Sequence, residues 1–114
     1  MKKKGVSAGD PLGFIQKCVR SGKIFWTYHV NMRILQRGIF RKALVNSVDT
    51  FQIIQEYPMD KYLPSYLVLA RDQDDILHIL FAMDAEEDNV RVITAYRPKR
   101  EEWSADFKTR RAKR

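Results

Sequence analysis

One cysteine, two histidines and no apolar run of membrane length mark what this 114-residue chain does without. The lone Cys18 excludes an intrachain disulfide and a cysteine-cluster zinc site, and it fits a reducing compartment. The longest apolar stretches, such as Ile76 to Met83 interrupted by His78, fall far short of the roughly 20 residues that span a bilayer. Met1-Lys2-Lys3-Lys4 has the charge of a signal-peptide n-region, but no apolar h-region follows, so a soluble cytoplasmic protein is expected. The chain also lacks a phosphate-binding glycine loop, a Gly-x-Ser-x-Gly elbow and a paired-histidine metal motif. No cofactor, metal or membrane partner is expected.

Acidic residues are scarce in the first 48 positions, and basic residues outnumber them at both ends. Residues 1–48 hold ten Lys/Arg against Asp10 alone, for a charge of +9; residues 49–89 carry −8 and residues 90–114 carry +6, leaving +7 in total. Such a distribution turns basic helices and tail toward a polyanion, with the acidic block facing away or meeting a basic partner. The alternative is that the blocks interleave in space and cancel.

The length fits one domain with a single core. Residues 10–107 are expected to form it, preceded by a flexible basic segment at 1–9 and followed by a basic tail at 108–114. Asp10-Pro11 is a helix start, with Leu12, Ile15, Cys18 and Val19 at helical spacing until Ser21-Gly22. Lys23 to Tyr28 reads as an extended aromatic connector. A second helix follows, with Val30, Ile34 and Leu35 apolar and Gly38 as its left-handed stop. A third helix is expected from about Phe40 to Val48.

From Asp49 the period changes. Phe51 to Tyr57 alternates, Tyr66 to Ala70 is a buried strand, and polar turns separate it from Ile76 to Met83 and from Val90 to Tyr96. Pro98 is read as the start of a last helix, in which Trp103 and Phe107, four apart, dock on the core. The expected fold is α+β: N-terminal helices packed on a three- to four-stranded antiparallel sheet, closed by a C-terminal helix.

His29, Arg33 and Arg37 recur every four residues. At ~100° and ~1.5 Å per helical residue they form a stripe spread over roughly 80° and about 12 Å long. Like charges four apart cost a few tenths of a kcal/mol on an exposed helix, so helix stability alone does not account for them.

Taken with Arg37-Gly38-Ile39, Tyr66-Leu67-Val68-Leu69, Leu77-His78-Ile79 and Val92-Ile93-Thr94-Ala95-Tyr96-Arg97-Pro98 through Trp103, the stripe resembles a bacterial family. It is a small domain of unknown function with the pattern His-x-x-x-Arg-x-x-x-Arg-Gly-Ile, two apolar strands, and Thr-Ala-Tyr-x-Pro. The resemblance covers roughly residues 14 to 110. The family is distantly similar to the RelE/BrnT-like toxins of type II toxin–antitoxin modules, often encoded beside a small zinc-finger antitoxin. That similarity implies a RelE-like helix-and-sheet fold, an endoribonuclease of the mRNA-interferase kind, and two partners: RNA, including ribosome-bound mRNA, and a zinc-finger antitoxin. One departure stands out. Where the family carries Ser or Thr followed by acids after Gly-Ile, this chain has Phe40-Arg41-Lys42, and two cations at a helix N-terminus cost about 0.3 to 1 kcal/mol each.

RNA cleavage without a metal needs a base for the 2′-hydroxyl, an acid for the leaving oxygen, and cations for the transition state. His29, Arg33, Arg37 and Tyr96 are the candidate catalytic residues. Arg41, Lys42, Arg97, Lys108, Arg110 and Arg111 are the candidate RNA contacts, the tail cations suiting nonspecific, salt-dependent binding. Each has a structural alternative. His29 can bond a neighbouring strand; Arg33 and Arg37 can pair with Asp49, Glu56 or Asp84; Tyr96 can pack on a sheet edge. His78 is a further acid/base candidate, read as a satisfied core histidine if its strand face meets the helices. A noncatalytic RNA- or protein-binding module is the alternative function.

Overall fold

Asp10 and Thr27 set where the first two helices begin. In the computed structural model, which describes residues 9–112, Asp10 accepts the Gly13 N–H at 2.9 Å ahead of α1, Pro11–Arg20. Thr27 Oγ1 accepts the Val30 N–H at 3.1 Å ahead of α2, Tyr28–Gln36. Each cap satisfies a donor that the first helical turn leaves unpaired. Gly38, at φ +71°, turns the chain out of α2 in the left-handed region that glycine enters without steric cost. The third helix, α3, runs only over Arg41–Asn46, and its N-cap Phe40 provides no side-chain bond. A single 3-10 turn, Val48–Thr50, completes the stretch expected as one helix to Val48.

The sheet has five strands in the order β1-β5-β4-β3-β2, comprising β1 Ile24–Trp26, β2 Gln52–Tyr57, β3 Ser65–Asp72, β4 Asp75–Asp84 and β5 Asn89–Tyr96. It is mixed, where an antiparallel sheet of three or four strands was expected. Ile24, Phe25 and Trp26 pair in parallel with Val90, Arg91 and Val92. Three residues show no period of their own; what recruits them is the free edge of β5, whose Val90 N–H donates to the Lys23 carbonyl at 3.1 Å.

Helices cover one face of the sheet. Ile15, Cys18, Val30, Ile34 and Leu44 pack there against Val68, Leu77, Ile79, Phe81, Val90 and Val92, all buried. Burial of this apolar set is the main favourable term in folding. The opposite face of β3 and β4 carries Leu67, Leu69 and His78, which are buried as well. Residues 97–112 lie over it as an irregular strap.

That strap replaces the expected C-terminal helix, which is absent among the described residues. After one turn at Lys99–Trp103 the chain doubles back, with Trp103 bridging Arg110 and the Arg111 N–H donating to the Glu102 carbonyl at 2.8 Å. Ser104 and Asp106 explain the failure. Asp106 Oδ1 accepts from Ser104 Oγ at 2.6 Å and from the Lys108 N–H at 3.1 Å, and Ser104 Oγ accepts the Thr109 N–H at 3.1 Å. Short polar side chains offer the backbone bonds that compete with helix, and Phe107 closes the loop at φ +62°. The expectations for residues 1–8, Lys113 and Arg114 lie outside the described residues.

Candidate RNA-binding cleft

An extra residue in β5 determines what faces the strap. Val92 pairs with Phe81 and Thr94 with Leu80, leaving Ile93 bulged. Before the bulge, Val90 and Val92 point to the helix face; after it Ala95 does so, and Tyr96 moves to the face of its partner His78. Strict alternation would have grouped Tyr96 with Val90 and Val92. A bulge re-aims the side chains beyond it in this way.

Tyr96 then lines an open cleft of about 580 Å³ together with Arg37, Arg97, Lys99, Glu102, Trp103 and Arg110. The cations differ in how far they are committed. Arg97 donates to the Arg37 carbonyl at 2.6 Å, to the Gly38 carbonyl at 3.1 Å, and to both Asp75 carboxylate oxygens at 3.2 and 3.1 Å. It is a brace between β4, β5 and the end of α2. Arg37, which lines the cleft, donates from Nη1 to the Ala95 carbonyl at 2.8 Å and weakly to Thr94 Oγ1 at 3.4 Å, and its other nitrogens make no hydrogen bond among the described residues. Arg110 stacks its guanidinium 4.7 Å from the Trp103 ring, and Lys99 is exposed with no ion pair among the described residues.

Behind Tyr96, His78 is fully buried. Its Nε2 donates to the Phe107 carbonyl at 2.8 Å, its Nδ1 lies 3.3 Å from Tyr96 Oη, and Trp103 meets it edge-on with centroids 4.4 Å apart. It is a satisfied interior histidine on the strap side of the sheet. Burial pushes its pKa below the ordinary value, against the Phe107 bond, which pulls it up. Tyr96 is shifted up by burial and stays a neutral phenol.

The His78 shift has a consequence for stability. Because its folded pKa is depressed below the unfolded value of about 6.5, the unfolded chain binds the extra proton first as pH falls. Stability from this group is therefore complete above about pH 6.5 and is lost as pH drops through the folded pKa, at a slope of at most about 1.4 kcal/mol per pH unit. Urea unfolding midpoints measured from neutral pH downward should show this fall, while the His78 ring resonances remain those of a neutral imidazole.

The stripe is split. His29 and Arg33 are exposed and line a separate, smaller hollow of about 250 Å³ with Val30, Ile93 and Thr94. Only Arg37 reaches the Tyr96 cleft, and Thr94, its weak partner, borders the other hollow. Of the acids expected as partners for the stripe, Asp49 is engaged by Arg20 and Asp84 by Arg91 at 2.9 Å, while Glu56 makes no ion pair among the described residues. Arg41 lies 5.0 Å over the Trp26 ring and donates to Asn31 Oδ1 at 2.9 Å. Lys42 and Lys108 are exposed outside the cleft lining, and Arg111 donates to the Arg100 carbonyl at 2.8 Å. Lys99 and Glu102 were missed by sequence reasoning, which had no signal for the fold-back that brings them to Tyr96.

A family model for a domain of unknown function, DUF4258, matches residues 26–97, well over half of the chain. The chain belongs to the DUF4258 family. No curated protein and no solved structure matches it. The DUF4258 match takes in α2, α3, β2 to β5 and Tyr96-Arg97, touches β1 only at Trp26, and is shorter at both ends than the resemblance over 14 to 110. Lys99, Glu102, Trp103 and Arg110, one wall of the cleft, lie beyond it. Cys18 adds no reactive group to this DUF4258 chain, since burial lifts its thiol to about 11. Among the described residues, no three His, Cys, Asp or Glu side chains cluster as metal ligands, and no helix is long and apolar enough to cross a membrane.

Proposed function

We propose that this protein binds RNA in the Tyr96 cleft and acts as the RNA-cleaving, toxin-like component of a bacterial toxin–antitoxin module, in the cytoplasm. The observation that carries RNA binding is the convergence of Arg37, Lys99 and Arg110 around a tyrosine in one open cleft. Cations with free N–H groups hold phosphates, and the separate hollow of His29 and Arg33 offers further cations, lined by Ile93 and Thr94 of the same strand β5. Cleavage draws on the resemblance to RelE/BrnT-like toxins, with His29, Arg33, Arg37 and Tyr96 as the candidate machinery and a zinc-finger antitoxin as the candidate protein partner.

A second reading, an RNA-binding module without catalysis, is favoured by one feature. His29 and Tyr96 line different hollows, so no acid/base pair converges on a single phosphate. Induced expression and an RNA cleavage assay separate the two. Growth arrest with RNA fragments ending in 2′,3′-cyclic phosphate, lost in folded His29→Ala and Arg33→Ala variants, supports the enzyme. RNA binding by a protein that leaves RNA intact supports the module. If the purified protein neither binds nor cuts RNA, both readings are wrong.

A further inference from the structure

The Phe107 carbonyl can only accept, so the 2.8 Å contact places the single N–H of a neutral His78 on Nε2. Nδ1 is then a bare lone pair. Between it and Tyr96 Oη, 3.3 Å away, only the phenol can donate. The one proton of the Tyr96 hydroxyl is thereby turned inward. Tyr96 lines the cleft, so toward a ligand there its oxygen has lone pairs to accept with and no proton to give.

We infer that Tyr96 is an acceptor-only contact for the ribose 2′-hydroxyl, so that the cleft selects RNA over DNA. The inference rests on the RNA-binding reading and adds the group that is recognised. Phosphate oxygens are acceptors; they have no bond to make with such a hydroxyl and go to Arg37, Lys99 and Arg110 beside it. The sugar of DNA brings no donor. The sugar of RNA brings one per nucleotide, and it is the group that lets a protein distinguish the two polymers. His78 acts through Tyr96, as a positioning residue: its tautomer, held by the strap, decides which way the phenol proton points.

Fluorescence anisotropy with short oligouridine, oligodeoxyuridine and 2′-O-methyl-oligouridine tests this, because the bases are the same and only the sugar differs. The wild type should bind oligouridine about three- to tenfold more tightly than either of the others, the range of one hydrogen bond. Tyr96→Phe should bring oligouridine down to the affinity of oligodeoxyuridine and leave the latter unchanged. Equal, salt-sensitive binding of all three by the wild type overturns the inference and leaves RNA binding standing; no binding of any overturns both. Nitrogen-15 NMR of the free protein gives a ligand-independent test. A proton on Nε2 and none on Nδ1 of His78 is expected, and a proton on Nδ1 would overturn the inference.

Discussion

Trp103→Ala should lower the unfolding free energy by about 3–5 kcal/mol, the usual cost of emptying a buried tryptophan site. Trp103 is 1% exposed. Its ring stands edge-on to His78 and carries the Arg110 guanidinium on its face, so it joins the strap to the sheet and forms part of the cleft wall. A domain of this size has about 5–15 kcal/mol in total, so the variant should sit near the edge of folding. Urea unfolding measures the loss directly. A fall below about 1 kcal/mol would mean that the strap rests on the sheet without holding it, against the range expected for a packed core aromatic. Trp103→Phe, which keeps an aromatic ring in the site, should recover part of the stability and so separate packing from loss of the fold.

The stretches legible in the sequence are those where a local rule and the tertiary structure agree. Asp10-Pro11 caps α1 as its chemistry predicts, Gly38 ends α2 with a positive φ, and the uncapped Phe40-Arg41-Lys42 start gives a helix of only six residues. β3, β4 and β5 are long apolar runs between polar turns. The misreadings share a cause, since each depends on contacts distant in sequence. Ile24–Trp26 becomes a strand only because β5, more than 60 residues on, offers an edge. Trp103 and Phe107 sit at helical spacing, yet Phe107 gives its carbonyl to His78, and Ser104 and Asp106 tie the backbone into a fold-back instead.

The candidate site shows the same division. His29, Arg33 and Arg37 do lie along α2, but helical spacing cannot say what a stripe faces. The Ile93 bulge and the strap decide that, by bringing Tyr96 to His78 and Arg110 to Trp103, while Arg37 alone bridges to the cleft. Arg97, read from sequence as an RNA contact, is instead occupied by Asp75 and two backbone carbonyls. A guanidinium so committed has little left for phosphate.

Removing the uncommitted cations should therefore cost most in binding. With Arg37, Lys99 and Arg110 each meeting one phosphate, a single-stranded RNA should lose about 20-fold in affinity as salt rises from about 50 to 200 mM, from a slope of roughly −0.7 per contact. The Lys99→Ala, Arg110→Ala double variant keeps one such contact, and its affinity should change only about threefold over the same range. Its loss of affinity should consequently be largest at low salt, where counterion release contributes most. The variant also unloads the Trp103 face, so its urea midpoint is measured beside its anisotropy titration. A folded variant whose salt slope matches the wild type would place the polyanion elsewhere on the surface, with the His29–Arg33 hollow next in line. A reduced slope with the fold intact would assign phosphate contact to the strap wall, the part of the cleft that lies outside the matched domain.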